Sequence, residues 1–531
     1  MAKYLLGLDY GTGGAKAALV DAEGAVAGHA FEEYSLQHPH PGWSEHNPES
    51  YWQATLRLVH SCVEQANASP REVCGIAASS ALPSLVMVDS VGAPVAPAYN
   101  LLDRRAQAEV EWLKKEIGED RIFSVSKNRL DDHPSLVNLL WEKRHRPEVF
   151  ARVQKTLTID GFINQRLTGR ATAHFSGAAF WGVAYNLLER RFEPELLEKL
   201  GVHPEVLPDL FACDTLIGEL HSRAAGELGL AAGTPVAAGQ VDCNAGWVGA
   251  GAIRAGDIQM NLGTCGNFGI VHTDTRFLDS MIAFAYTTNS TNTYVTVPTT
   301  ATGGQLLRYM RDQFYQAEMR GGSAGAEVFD LMNREAASVP PGAAGLVVLP
   351  FLMGERTPIW DSYARAVIFG LSLHHTRGHV VRAMMEAVAF ALYDSFRIIQ
   401  ATGRKMNFPI VLNEGGAKSR LWRRIITDVF NVPTVLVERR VGAPYGDAIL
   451  AGVATGVFPG FEVARQWARY VEPMEPNADN HQLYQEYFSL YKNLYHHVRE
   501  DFRSLAKLAV KSSGSAKNNL PESQSVTSFG A

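Results

Sequence analysis

An acid directly ahead of a glycine-rich turn opens the chain. The run is Leu8-Asp9-Tyr10-Gly11-Thr12-Gly13-Gly14, with Lys16 two residues further on. Glycines at such a turn let the backbone approach a phosphate closely and supply several N–H donors, to which the Thr12 hydroxyl adds. The Lys16 ammonium would reach a β- or γ-phosphate. The spacing fits neither GxxxxGK[ST] nor GxGxxG, because Lys16 stands where the latter needs its last glycine. Most Gly-rich turns serve only to reverse the chain, so one alone decides little. This one recurs: Met260 to Gly266 stand in register with Leu8 to Gly14, so that Gly263 and Thr264 repeat Gly11 and Thr12 while Asn261 replaces Asp9. Two related turns point to a duplicated unit with two unequal phosphate loops.

A second acid stands at Asp242, after the strand-like Pro235 to Ala238 and Gly239, and ahead of the small-residue segment Asn244-Ala245-Gly246. It could be only a helix N-cap. Its functional alternative is a general base at the mouth of a cleft between the two halves. A third block, Gly415-Gly416-Ala417-Lys418-Ser419, follows an apolar strand and precedes a helix over 422–430. There a flat base or ribose could lie on bare backbone, and the helix start favours anions. Gly354-Glu355-Arg356-Thr357-Pro358 reads as a rigid polar loop whose charges could hold structure or touch ligand.

The elements that must position these residues are legible in outline. Tyr4 to Leu8 and Ala15 to Val20 flank the first turn as a hairpin, not as the strand-to-helix step of a dinucleotide fold. Pro48 to Ala66 has helical periodicity behind Asn47, a residue suited to cap it. Strands follow at 73–78 and 85–88, a helix at 104–117, and then further alternation: an α/β chain. The duplication divides it into residues 1–253 and 254–510, and the Ser- and Asn-rich stretch 511–531 is expected to be a disordered tail.

Composition narrows the field. The 531 residues are 46% hydrophobic and 20% charged, a globular profile with room for large cores. With 49 basic and 55 acidic residues the net charge is −6, and no long run of one sign occurs, which argues against nucleic-acid or anionic-membrane binding. Five cysteines without a CxxC pair suggest reduced thiols. No apolar run is long enough to span a membrane, and the N-terminal one is too short for a signal peptide, so a cytoplasmic protein is expected.

From about residue 4 to 500 the sequence resembles the FGGY family of carbohydrate kinases, within the actin-like ATPase superfamily. The family's C-terminal signature matches Ala366 to Glu386 position by position, and the GERTP, GG-A-K-S and LGTCG segments match as well. Two positions depart from the pattern: Asn138 stands where Lys is usual and His174 where Asp is usual. The resemblance implies two RNase H-like domains flanking a cleft that binds ATP with Mg²⁺, and a small sugar or polyol deep in the first domain. By the same likeness Asp242 is the catalytic base and Asp9 the acid that helps position Mg²⁺. Thr12, Gly13, Gly14 and Lys16 form the first phosphate loop, Gly263 and Thr264 the second. Gly304, Gly415, Gly416 and Ala417 belong to the nucleotide site of the second domain. A homodimer is also implied.

Xylulokinase-like members carry Gln-Met-His in the loop after the third strand, whereas this chain reads Ser79-Ser80-Ala81-Leu82-Pro83-Ser84. Leu82 and Pro83 offer no side-chain hydrogen bond, although sugar discrimination normally rests on such groups. Asp103 and Arg105 match the family's W-x-D-x-R segment without its Trp and join Asp242 as expected substrate contacts. Phosphorylation of a pentulose such as xylulose is therefore the first expectation, tempered at Leu82 and Pro83 toward fewer or differently placed hydroxyls. The alternatives are another ketose, a polyol or a sugar-derived signal molecule, or a non-catalytic nucleotide-binding sensor of the same fold.

Overall fold

The computed structural model describes residues 3–131, 135–321, 325–438 and 441–516. Tyr4–Tyr10 (β1) and Gly14–Asp21 (β2) make the hairpin that the first glycine turn requires, and Val26–Glu33 (β3) extends it antiparallel. After the helix Pro48–Ala66 (α1), Val73–Ser80 (β4) lies parallel to β1. Leu216–Glu219 (β5), Pro235–Ala237 (β6) and Gln240–Val241 (β7) complete this sheet, with β6 and β7 both parallel to β4.

The second sheet repeats the first. Ile258–Leu262 (β8) and Gly266–His272 (β9) form the equivalent hairpin. Tyr294–Val297 (β11) extends it as β3 does, with Ile282–Ala285 (β10) beyond, while Thr299–Thr300 (β12) also pairs with β9. Ile410–Asn413 (β13) runs parallel to β8, and Thr434–Val437 (β14) parallel to β13, as β4 and β6 do in the first sheet. Tyr470–Met474 (β15) is an antiparallel edge. Two β-β-β-α-β units in one chain, both with the glycine turn at the same hairpin, make the duplication a property of the fold.

One face of the first sheet packs on α1 and Ile159–Thr168 (α2) through Leu6, Leu8, Leu58, Ile76 and Phe162. The second sheet packs on Arg377–Ala401 (α5), Arg420–Phe430 (α6) and Ala478–Ala516 (α8) through Met260, Phe268, Val388, Ile426 and Tyr484. Between the sheets lies a third core that mixes both halves. Asp242–Gly249 (α3) brings Trp247 against Gly269 of β9, and Ala443–Ala454 (α7) lays Ile449 and Ala448 beside Leu5 and Ala77. A helix from beyond residue 253 thus covers the first sheet. The crossing of α3 and α7 is tight: a Cβ on Gly446 would fall 1.8 Å from the carbonyl oxygen of Ala245, which only glycine avoids.

Local expectations hold at α1, which starts behind Asn47 with the Asn side chain accepting from the Glu49 N–H. The helix expected over 104–117 is shorter, Gln107–Glu116, which leaves Asp103 and Arg105 in the preceding loop. At the other end α8 (bounds above) runs to Ala516, into the stretch expected as a tail; Lys, Ala and Ser tolerate continuation of a helix already nucleated by packing. Residues 517–531 lie outside the described ones. Among the described residues no helix is long and apolar enough to cross a membrane.

Candidate active site

The register of the first hairpin sets Asp9 directly opposite Lys16. Cross-strand partners share a face, and the ammonium lies 3.7 Å from Asp9 Oδ2. The turn is closed by the Gly11 N–H donating to Gly14 O, and the Tyr34 hydroxyl donates to Gly11 O. The N–H groups of Thr12 and Gly13 make no hydrogen bond within the described protein. Where a Cβ on Gly13 would project, nothing lies within 4 Å.

The second turn is built differently. Gly263 and Thr264 give their carbonyls to the start of Gly304–Phe314 (α4): Gly304 N–H donates to Gly263 O at 2.6 Å and Gly303 N–H to Thr264 O at 2.9 Å. A Cβ on Gly303 would sit 2.5 Å from the Cys265 carbonyl carbon, so the docking needs glycine there. Glu355 of the GERTP loop braces the approach. Its buried carboxylate accepts from Thr300 Oγ1 at 2.6 Å and the Ala301 N–H at 2.7 Å, and burial pushes its pKa up to about 7. That loop therefore serves structure. Of the third block, Gly416 packs on Leu262 and Ala417 is buried, while Gly415 faces open space.

Asp242 heads α3, but the capping position belongs to Val241, and among the described residues the Asp242 carboxylate accepts only the adjacent Cys243 N–H, at 2.6 Å. The group is half-buried. Burial first, then the neighbouring charge of Asp9, push its pKa up to about 7, while the Cys243 N–H and Lys16 pull the other way and Glu414 adds to the rise. Asp9 is raised too, by burial against the pull of Lys16 and of the Ser79 hydroxyl. The cleft thus gathers Asp9 and Asp242 from the first half and Glu414 from the second. Glu414 holds φ +73° and ψ −175°, a backbone region otherwise kept for glycine.

Several contributors carry no sequence signal. Asp447 of α7 is fully buried beneath Asp9; it accepts from Ser79 Oγ at 2.7 Å and from Gln240 Nε2 at 2.9 Å, and burial drives its carboxyl well above the usual range. Asp447→Ala should strand the Gln240 amide and cost ~1–3 kcal/mol of stability, whereas Asp447→Asn keeps an acceptor and should cost less; thermal melts of both variants check this. His174 has a clear role. Its Nδ1 accepts the Gly177 N–H at 2.9 Å, as a capping Asp would, and its Nε2 lies 3.0 Å from Asp160 Oδ2, where a second carboxylate would repel. Asn138 is buried on the helix Ser135–His145 with Oδ1 unpartnered. Leu82 leans on Gly177, its Cδ1 3.1 Å from where a Cβ there would lie. Asp103 and Arg105 are buried and bind each other at 2.7 Å, with Glu45 also on Arg105 at 2.7 Å.

Two duplicated βββαβ units that exchange helices and face each other across two phosphate-type turns define the two-domain actin-like ATPase fold. The N-terminal domain model of the FGGY family of carbohydrate kinases matches residues 4–249 and the C-terminal model residues 259–455. The chain belongs to that family and is an ATP-dependent carbohydrate kinase. It is 28% identical to the xylulose kinase of Bacillus subtilis (strain 168) over 94% of its length and 98% of that protein's. The gluconokinase of the same organism is 26% identical, over 95% and 98%. The crystal structure of xylulose kinase from Rhodospirillum rubrum superposes with a TM-score of 0.86 at 27% identity, covering 94% of this chain and all of that one.

Proposed function

We propose that the chain transfers the γ-phosphoryl group of ATP to a hydroxyl of a small sugar, a pentulose such as xylulose being the first substrate to test. The observation that carries the reading is Asp242: a half-buried carboxylate with a pKa near 7, beside Asp9, at the helix start between the two turns. A general base works best when its pKa lies near the operating pH. In this scheme Asp242 Oδ takes the proton of the attacking hydroxyl as the oxygen approaches phosphorus. The free N–H groups of Thr12 and Gly13, with Lys16, orient the transferring phosphates; Thr264 and the start of α4 hold those next to it. Gly415 leaves room for the nucleoside. Such positioning, with exclusion of water as the domains close, is most of what phosphoryl transfer requires.

The acidic cleft suits Mg²⁺. Asp9 offers hard oxygen ligands, and among the described residues no three His, Cys, Asp or Glu side chains could hold a metal by themselves. That matches a cation held by one carboxylate, waters and nucleotide phosphates. When bound it would supply charge neutralisation for the phosphoryl group. The proposed setting is the cytoplasm, from the cysteine usage and the short N-terminal apolar run, and the proposed assembly is a homodimer, from the family likeness.

ADP release measured over a panel of ketoses, polyols and sugar acids tests the reading, and the absence of any sugar-stimulated release would refute it. The pH profile follows from Asp242. Only its ionised form accepts a proton, so kcat/KM for the sugar should fall about tenfold per pH unit below ~7 and level off above it. A profile flat from pH 5.5 to 8 would remove Asp242 from the base role.

A further inference from the structure

The loop expected to recognise the sugar carries Leu82 and Pro83, whose side chains cannot hydrogen-bond a hydroxyl, so polar groups elsewhere near the first turn become candidates. Beside the first turn, four buried polar atoms without a well-formed partner fall within one group of residues: Ser44 Oγ, His46 Nε2, Tyr51 OH and Arg105 Nη1. The group is continuous. The Ser44 N–H donates to Asp103 Oδ2 at 2.8 Å, and Arg105 joins Asp103 to Glu45, the residue before His46. His46 packs edge-on against Tyr34 and Tyr51, with ring centroids 5.2 and 5.5 Å apart, and Asn100 Nδ2 lies 3.4 Å from its Nδ1. Tyr34 leads from there to the reacting centre: its hydroxyl donates to Gly11 O, and the charges of Asp9 and Asp242 both reach it. The backbone of Thr12 also lies close enough to act on the His46 ring. Folded chains leave few buried polar atoms unsatisfied, so four within one continuous group of residues are donors and acceptors open to a polar ligand.

The charge of this wall is equally informative. Arg105 is its cation, and two carboxylates already neutralise it while Trp43 and Tyr99 sandwich the guanidinium at 3.9 and 3.8 Å. Burial keeps the His46 ring neutral at pH 7, its pKa lowered to about 4. Asp103 and Glu45 set two carboxylates on the single guanidinium of Arg105, with Asp9, paired to Lys16, and Asp242 nearby. A carboxylate brought here would meet excess negative charge at the moment it is desolvated.

We propose that His46 is a specificity-determining residue whose Nε2 hydrogen-bonds a substrate hydroxyl, at a site that accepts uncharged sugars or polyols and rejects sugar acids. The inference rests on the phosphotransferase reading and adds to it the charge class of the substrate. It also separates the two activities named among the relatives, since xylulose is uncharged and gluconate is an acid.

The test uses the full chain, its His46→Gln and His46→Leu variants, and four probes: D-xylulose, D-ribulose, xylitol and D-gluconate. Turnover is followed by ADP release, and binding by calorimetry. The expected result is an uncharged probe preferred over D-gluconate by about 100-fold or more in kcat/KM. His46→Leu should raise the KM for that probe about tenfold or more while leaving the KM for ATP unchanged, and His46→Gln, which keeps a neutral hydrogen-bonding group, should restore most of it. Equal or better use of D-gluconate would overturn the proposal, as would an unchanged sugar KM in His46→Leu or failure of every probe to bind. Should His46→Leu not fold, the D-gluconate comparison and the His46→Gln variant decide. Sugar binding without ADP release would sink the phosphotransferase reading and leave this one standing; a kinase that prefers D-gluconate would do the reverse.

Discussion

Asp242→Asn should lower kcat by about 10²–10⁴-fold while ATP binds as before and the protein melts no earlier than wild type. Asn is nearly isosteric but cannot accept the proton of an attacking hydroxyl. The turns at Gly11–Gly14 and Gly263–Gly266 are untouched, so calorimetry with ATP should give an affinity close to wild type. The stability arm follows from the sign of the pKa shift. Asp242 has a folded-state pKa near 7 against an ordinary value of 3.8. Between those pH values the folded chain holds the proton that the unfolded chain has lost, so stability falls as pH rises through this window. Above pH 7 the buried charge costs the fold up to about 4 kcal/mol, and the neutral Asn is spared that cost. The variant should therefore melt higher than wild type at pH 8, with the difference shrinking toward pH 4. Val241 occupies the cap position, so no capping bond is lost. A variant that folds, binds ATP and retains more than about a tenth of wild-type kcat would refute the base assignment.

That Asp242 is so exposed to test reflects how unevenly the sequence reveals its own site. Glycine turns between strands are local objects, and both hairpins, β1–β2 and β8–β9, lie where turn chemistry puts them. Asp9, Lys16, Asp242 and Gly263 are legible for that reason. Asp447 is not, because it belongs to α7, whose run APYGDAILAG reads as an ordinary buried helix. Only the exchange of α3 and α7 between the halves, permitted by Gly446, carries it beneath Asp9 and Ser79. The same exchange explains why, beside the core of each sheet, a third core draws on residues from both sides of residue 253. The wall around His46 was hidden in another way. It comes together through the two-stranded pairing of Glu45–His46 with Ala98–Tyr99, a contact without periodicity. Arg105 reads as a ligand contact in the sequence, and only the packing shows it held between two rings and two carboxylates. Glu414 illustrates the converse. Nothing in its type suggests strain, and its glycine-like backbone is imposed by the path from β13 into the Gly415–Gly416 turn.

Gly13→Val should weaken ATP binding on the order of 100-fold and leave the melting temperature within about 1 °C of wild type, a separation that a merely structural glycine could not give. At most glycines of this chain a side chain meets the protein itself. A Cβ on Gly14 would fall 2.6 Å from Glu32 O, and one on Gly303 2.5 Å from Cys265, so substitutions there should destabilise the fold before they report on ligand. Gly13 is exposed, nothing lies within 4 Å of its Cβ direction, and its φ is outside the left-handed range. A Cβ at this position therefore meets no protein atom. The valine would enlarge the turn at the residue whose own N–H, like that of Thr12, has no partner among the described residues. A phosphate that uses those donors must come within ~3 Å of nitrogen, and a branched side chain at this position stands in its path. Because the loss is in binding shared by ground and transition states, it should appear chiefly in the KM for ATP, with kcat at saturating nucleotide much less affected. Calorimetry with ATP, steady-state kinetics and a thermal melt on the same preparation give all three readings. Unaltered ATP affinity in a folded Gly13→Val protein would mean that the first turn does not touch phosphate; a fall in melting temperature that accounts for the lost binding would return it to the status of a simple chain reversal.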